Sequence, residues 1–71
     1  MDDNVRYLKE LGAKLRARRR QKKMSMKELA DNCNIDKSTV YRIEKGLMNP
    51  TVLMLKALCD VLDIDLKDFL D

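Results

Sequence analysis

SMKELADNCNIDKSTVYRIEKG, residues 25–46, holds two helical patterns joined by a turn too short to permit more than one fixed angle between them. Ser25 has the side chain of an N-cap, and Glu28, three residues on, completes a capping box ahead of the apolar Leu29. The helix begun there is expected over about 26–33. It should end near Asn32 and Cys33, because Asn34 tolerates the left-handed conformation that a helix exit needs. Asp36 then restarts a helix over about 37–45, and Gly46 stops it. On that second helix Val40 and Ile43 share one face, with Ile35 just before them. Lys37, Ser38, Tyr41, Arg42 and Lys45 lie on or beside the other face. A helix so patterned is held by one side and offers polar groups on the other, which points to the groove of DNA as its partner.

Outward from this stretch, the patterning predicts three further helices. A long first helix from about Asn4 to Lys22 buries Leu8, Leu11 and Leu15, with Met24 closing the turn that follows. Asn49-Pro50 forbids a helix through that point, Thr51 caps a fourth helix continuing to about Leu62, and Asp65 caps a short fifth. The expected architecture is all-α, a compact five-helix domain spanning residues 1–71 with no linker or repeat. With 45% apolar residues but one Phe, two Tyr and no Trp, its core is aliphatic and methionine-rich.

The net charge of +3 conceals an uneven layout. Residues 1–24 carry nine Lys/Arg against three acids, residues 25–50 four against four, and residues 51–71 two against five. The densest basic run, Lys14 to Lys23, is either a footprint for phosphate or a solvated helix surface, since its side chains point all round the helix and cannot face one partner together. Cys33 and Cys59 fall at apolar helical positions, without a C-x-x-C pair or any histidine, so they are read as core residues and no metal site is expected. No Gly-rich phosphate loop and no nucleophile with a base at motif spacing is present, so an enzyme is not expected, nor a cofactor. The lack of a signal peptide and of an apolar run of about 20 residues leads to the expectation of a cytoplasmic protein.

Four pieces in fixed order and spacing carry a resemblance: LG..LR..R from Leu11, S..ELA from Ser25, ST.YRIEKG from Ser38, and NPT from Asn49. Together they make residues 11–70 resemble the phage-repressor and Cro-type (XRE-type) helix-turn-helix family. The resemblance implies a repressor-like DNA-binding domain with its helix-turn-helix at the second and third helices. It implies base reading by Lys37, Ser38 and Arg42, phosphate contacts by Lys45 and Asn49, and a pairing of Arg19 with Glu44. That pairing also makes physical sense, because a glutamate in the last turn of a helix sits at the negative end of the helix dipole and calls for a cation. Tyr41, between the base-reading positions, is placed to meet a thymine methyl group or a phosphate. One departure stands out: the family usually has Gln where this chain has Met26. The free backbone N–H groups of Met26 and Lys27, with Ser25 beside them, offer a substitute anion site.

The fourth helix is apolar around most of its circumference. Val52, Leu55, Leu58, Cys59 and Leu62 form the stripe expected to cover the motif helices. Leu53, Met54, Ala57 and Val61 lie beside or behind it, and with Leu66 and Leu70 they form a second surface expected to be a homodimer interface. The competing arrangement has the fifth helix folding back over that surface within one subunit. The expected activity is a dimeric repressor or autoregulator reading a palindromic operator in double-stranded DNA. The alternative is a protein-binding module, such as an antitoxin-like subunit, that uses the same apolar surface to hold another polypeptide.

Overall fold

The computed structural model describes residues 3–69, among which lie four α-helices and one turn of 3-10 helix. The helices are α1 (Asp3–Gln21), α2 (Met26–Cys33), α3 (Lys37–Glu44) and α4 (Val52–Leu62). Their starts follow the caps. The Ser25 hydroxyl accepts from the Glu28 N–H at 3.0 Å while Glu28 Oε1 accepts from the Ser25 N–H at 3.0 Å, a complete capping box. Thr51 Oγ1 accepts from the Met54 N–H at 3.1 Å and starts α4. Asp36 occupies the N-cap of α3, but its side chain makes no cap hydrogen bond.

Each helix exits through a residue with positive φ: Lys23 at 58°, Asn34 at 56°, Gly46 at 73° and Asp63 at 56°. At each exit a backbone N–H reaches back to a carbonyl in the last turn, as from Met24 to Arg19, Ile35 to Ala30, Leu47 to Arg42 and Ile64 to Cys59. Asn34 and Gly46 are residues that take this conformation readily. Lys23 and Asp63 take it less readily: the Lys23 N–H is bound to the Arg20 carbonyl, and the Asp63 carboxylate is paired with Lys22.

The core is the contact zone of α1, α2, α3 and α4, built from Leu11, Leu15, Leu29, Ala30, Val40, Ile43, Leu55, Leu58, Cys59 and Leu62. Fully burying an aliphatic side chain contributes about 1.5–3 kcal/mol, and these side chains are contributed by all four helices, so no helix is stable apart from the rest. Leu8, Met24, Cys33 and Ile35 pack partly against this core. At Gly12 the helices approach more closely than a side chain permits, since a Cβ there would stand 2.4 Å from the Ile43 carbonyl oxygen and 2.5 Å from that of Glu44. Glycine lets α1 lie against the backbone at the C-terminal end of α3.

Two expectations need correction. The fifth helix is a single 3-10 turn, Leu66–Phe69, closed by an N–H to carbonyl bond from Asp68 to Asp65 and started by Asp65 Oδ1, which accepts from the Lys67 N–H. Its four residues provide one turn, too few for the i to i+4 ladder. Val52, assigned to the core stripe of α4, is 72% exposed, and the buried stripe starts at Leu55. Helical side chains lean toward the N-terminus, so a residue in the first turn overhangs the end of the helix and projects beyond the neighbours that its own stripe covers.

Candidate nucleic-acid interface

The orientation of α3 is set by what lies behind it. Thr39, Val40, Ile43 and Glu44 are buried, and Lys37, Ser38, Tyr41 and Arg42 are exposed along the opposite side. The four thus form a row of polar side chains on the solvent face of one short helix. Lys45 follows at its end, with its ammonium 5.7 Å from the centroid of the Tyr41 ring, within cation–π range. Asn49 is exposed in the loop that leads to α4.

Glu44 ties this helix to α1. Arg19 Nε donates to Glu44 Oε2 at 2.7 Å and Nη2 to Oε1 at 3.1 Å, a two-pronged contact between side chains only 10% and 2% exposed. Arg19 Nη1 also donates to the Met24 carbonyl at 2.8 Å, so one guanidinium joins α1, the α1–α2 turn and the last turn of α3. A planar fork suits this task in a way that a lysine ammonium does not.

The start of α2 lies next in the chain. Its capping box occupies the N–H groups of Ser25 and Glu28, whereas those of Met26 and Lys27, in the first turn, have no acceptor within the helix. The Met26 side chain is half-buried and packs against the core, so this position supplies a backbone donor and an apolar contact. Lys27 is exposed and forms an i,i+4 pair with Asp31 at 2.8 Å. The hydrogen bond to Asp31 and the charge of its carboxylate raise the Lys27 pKa above the ordinary lysine value.

The basic run divides. Arg19 is buried in the pair just described, Arg18 Nε donates to the Leu62 carbonyl at 2.8 Å, and Lys22 Nζ lies 2.6 Å from Asp63 Oδ2. The last two place positive charge on the C-terminal end of α4, where the helix dipole favours it. Bonds that span 44 and 41 residues have no signature in the run itself, and sequence reasoning missed them. Gly12 was missed for the same reason.

The apolar side of α4 is only partly covered. Leu53 is 79% exposed, Met54, Ala57, Val61 and Leu66 are half-buried, and Leu70 falls outside the described residues. Val61 and Leu66 pack partly on their own core. Cys59 is buried and Cys33 half-buried, both as free thiols, and burial pushes both pKa values up. Among the described residues no group of three His, Cys, Asp or Glu side chains is placed to hold a metal, and no helix is long and apolar enough to cross a membrane.

No curated protein matches the chain. Among the solved structures that resemble it, three illustrate the likeness. The clp gene regulator ClgR from Corynebacterium glutamicum superposes with a TM-score of 0.84 at 26% identity, over 90% of this chain and 68% of its own. The restriction-modification controller protein C.AhdI from Aeromonas hydrophila gives 0.82 at 31% identity, over 87% and 94%. SinR, a master regulator for biofilm formation whose structure is a complex with DNA, gives 0.79 at 32% identity, over 86% and 98%. The helix-turn-helix family model matches residues 15–69, from the middle of α1 to the 3-10 turn. With its motif on α2 and α3, the chain belongs to the XRE-type, phage-repressor and Cro-like helix-turn-helix family of DNA-binding transcription regulators, a family of binders and not of enzymes.

Proposed function

We propose that the chain works in the cytoplasm as a homodimeric repressor or autoregulator that binds a palindromic operator, with α3 of each subunit in the major groove. The observation that carries this reading is the row Lys37, Ser38, Tyr41 and Arg42, exposed on a helix whose other side is locked to α1. Arg42 bridges guanine O6 and N7, and Lys37 reaches a base edge from the first turn of α3. Ser38 donates or accepts, and Tyr41 meets a thymine methyl group or a phosphate. Ser25, the N–H groups of Met26 and Lys27, Lys45 and Asn49 hold phosphates on either side. No cofactor takes part.

Dimerisation rests on Leu53 together with the uncovered parts of Met54, Ala57, Val61 and Leu66. Helix-turn-helix dimers set two recognition helices about one DNA turn apart, so a two-fold protein reads a two-fold site. One solved structure that this chain resembles at 32% identity is a complex of SinR with SinI protein. A second reading therefore gives the same apolar surface to a different polypeptide, as in an antitoxin-like subunit. Stoichiometry separates the two, because a self-complementary surface yields a dimer of the lone chain and a surface meant for another protein leaves a monomer.

The test is selection from random duplex DNA with the purified chain, alongside sedimentation of the free protein. A motif with two-fold symmetry and a dimer that Leu53→Glu dissociates are expected. Failure to enrich any motif, with only sequence-indifferent binding left, would refute the reading.

A further inference from the structure

We propose that Lys9, on α1, is an additional DNA-phosphate contact, set beside the loop 45–49 by the glycine at position 46; this rests on the reading of α3 as the recognition helix. Gly46 has φ of 73°, and a Cβ built on it would stand 2.8 Å from Lys9 Cγ and 2.9 Å from Lys9 Cα and N. The backbone that leaves α3 therefore rests directly on α1 at Lys9, and the lysine stem lies across it. A stem packed on backbone leaves the ammonium in water at the edge of the loop, and Lys9 is exposed. Lys45 is the residue before Gly46, so two cations that lie far apart in sequence flank the same exit from α3.

The charge at Lys9 is left available by its surroundings. Lys27 and Lys56 each pair with an aspartate four residues on, Lys22 pairs with Asp63, and Lys67 lies 3.7 Å from Asp65. The helical neighbours of Lys9 at three and four residues are Val5, Arg6, Gly12 and Ala13, none of them acidic. Among the described residues Lys9 makes no ion pair. An exposed ammonium that no carboxylate neutralises, fixed next to a loop that holds phosphate, adds one contact to the strand alongside that loop. It carries no base information, so it adds affinity without changing preference.

The experiment is a salt titration of operator and scrambled duplex binding by the wild-type protein, Lys9→Gln, Lys9→Arg and Lys56→Gln, with thermal melting of each. Lys9→Gln is expected to weaken binding to both duplexes alike and to reduce the slope of log K against log salt by about 0.9 per subunit. Lys9→Arg and Lys56→Gln should keep the wild-type slope. A Lys9→Gln protein with the wild-type slope overturns the proposal; if it also melts lower, Lys9 serves only to offset the dipole at the end of α3. A wild-type protein that does not distinguish operator from scrambled duplex instead overturns the reading of α3, so the two failures are told apart.

Discussion

Cutting the Arg19–Glu44 contact tests how the recognition helix is held. With side chains 10% and 2% exposed and two hydrogen bonds of 2.7 and 3.1 Å, removing either partner leaves the other charge buried without its counterpart. Such a loss costs about 3–5 kcal/mol. A chain of 71 residues has a total stability of roughly 4–11 kcal/mol at 0.05–0.15 kcal/mol per residue, so one substitution consumes a large share of it. Arg19→Met should cost more than Glu44→Leu, because Arg19 also donates to the Met24 carbonyl at 2.8 Å, a bond worth about 1.5–3 kcal/mol when the donor is charged. The double variant, with apolar groups of similar volume in both places, should regain most of the loss, since burying two charges costs nearly as much as their attraction returns. Urea unfolding of the four proteins, followed by far-UV circular dichroism at low temperature, supplies the double-mutant cycle. Single variants that each lose under about 1 kcal/mol and add without coupling would refute the argument that this pair sets the position of α3.

Further outcomes follow from the same geometry. Gly12→Ala should destabilise the fold by about 1–3 kcal/mol or more in urea unfolding, because its Cβ would press on the backbone of Ile43 and Glu44 and force α1 away from α3; a neutral result would refute the close approach. Lys23→Gly should raise stability by about 0.5–1 kcal/mol, visible as a higher melting temperature, since Lys23 holds φ of 58° and glycine takes that conformation without strain. The Lys22 ammonium holds the Asp63 carboxyl below the usual carboxylate range. With the folded pKa the lower one, the pair adds stability above the ordinary carboxylate range and loses it as pH falls through the folded value. Asp63 is open to solvent and Lys22 is half-buried, so the effect is small, and Lys22→Met should lose less stability than the wild type between neutral and acid pH; equal losses would count against it. In quantitative DNA binding, Arg42→Ala should relax the preference at one base pair by about 1–3 kcal/mol, whereas Lys45→Ala should weaken all sequences alike and reduce the salt slope by about one unit per subunit. A full base preference retained by Arg42→Ala would move the reading to Lys37 and Tyr41.

Features that depend on neighbours in the chain were legible in the sequence. Ser25 with Glu28, Asn34, Gly46 and Thr51 mark where helices start and stop because a cap is made within three or four residues, and both limits of α2, the exit of α3 and the start of α4 follow from them. The two faces of α3 follow in the same way, since the helical period alone puts Val40 and Ile43 opposite the polar row. The contact of Arg19 with Glu44 was anticipated through the family resemblance, because 25 residues separate the two and no local rule connects them.

The tertiary structure alone decided the rest. Arg18 and Lys22 sit in a basic run that offers every direction equally, and the end of α4 alone gives them the Leu62 carbonyl and Asp63 as partners. Gly12 could have been any weak spot in a long helix until α3 came to lie against it. Val52 obeys the apolar period of α4 and is nonetheless exposed, and Lys23 exits α1 in a conformation that its own preferences disfavour. For Arg18, Lys22 and Gly12 the deciding contact is distant in sequence. Periodicity and capping report which surface a helix offers, but which neighbour meets that surface, and where the neighbour stops, is settled only when all four helices pack at once.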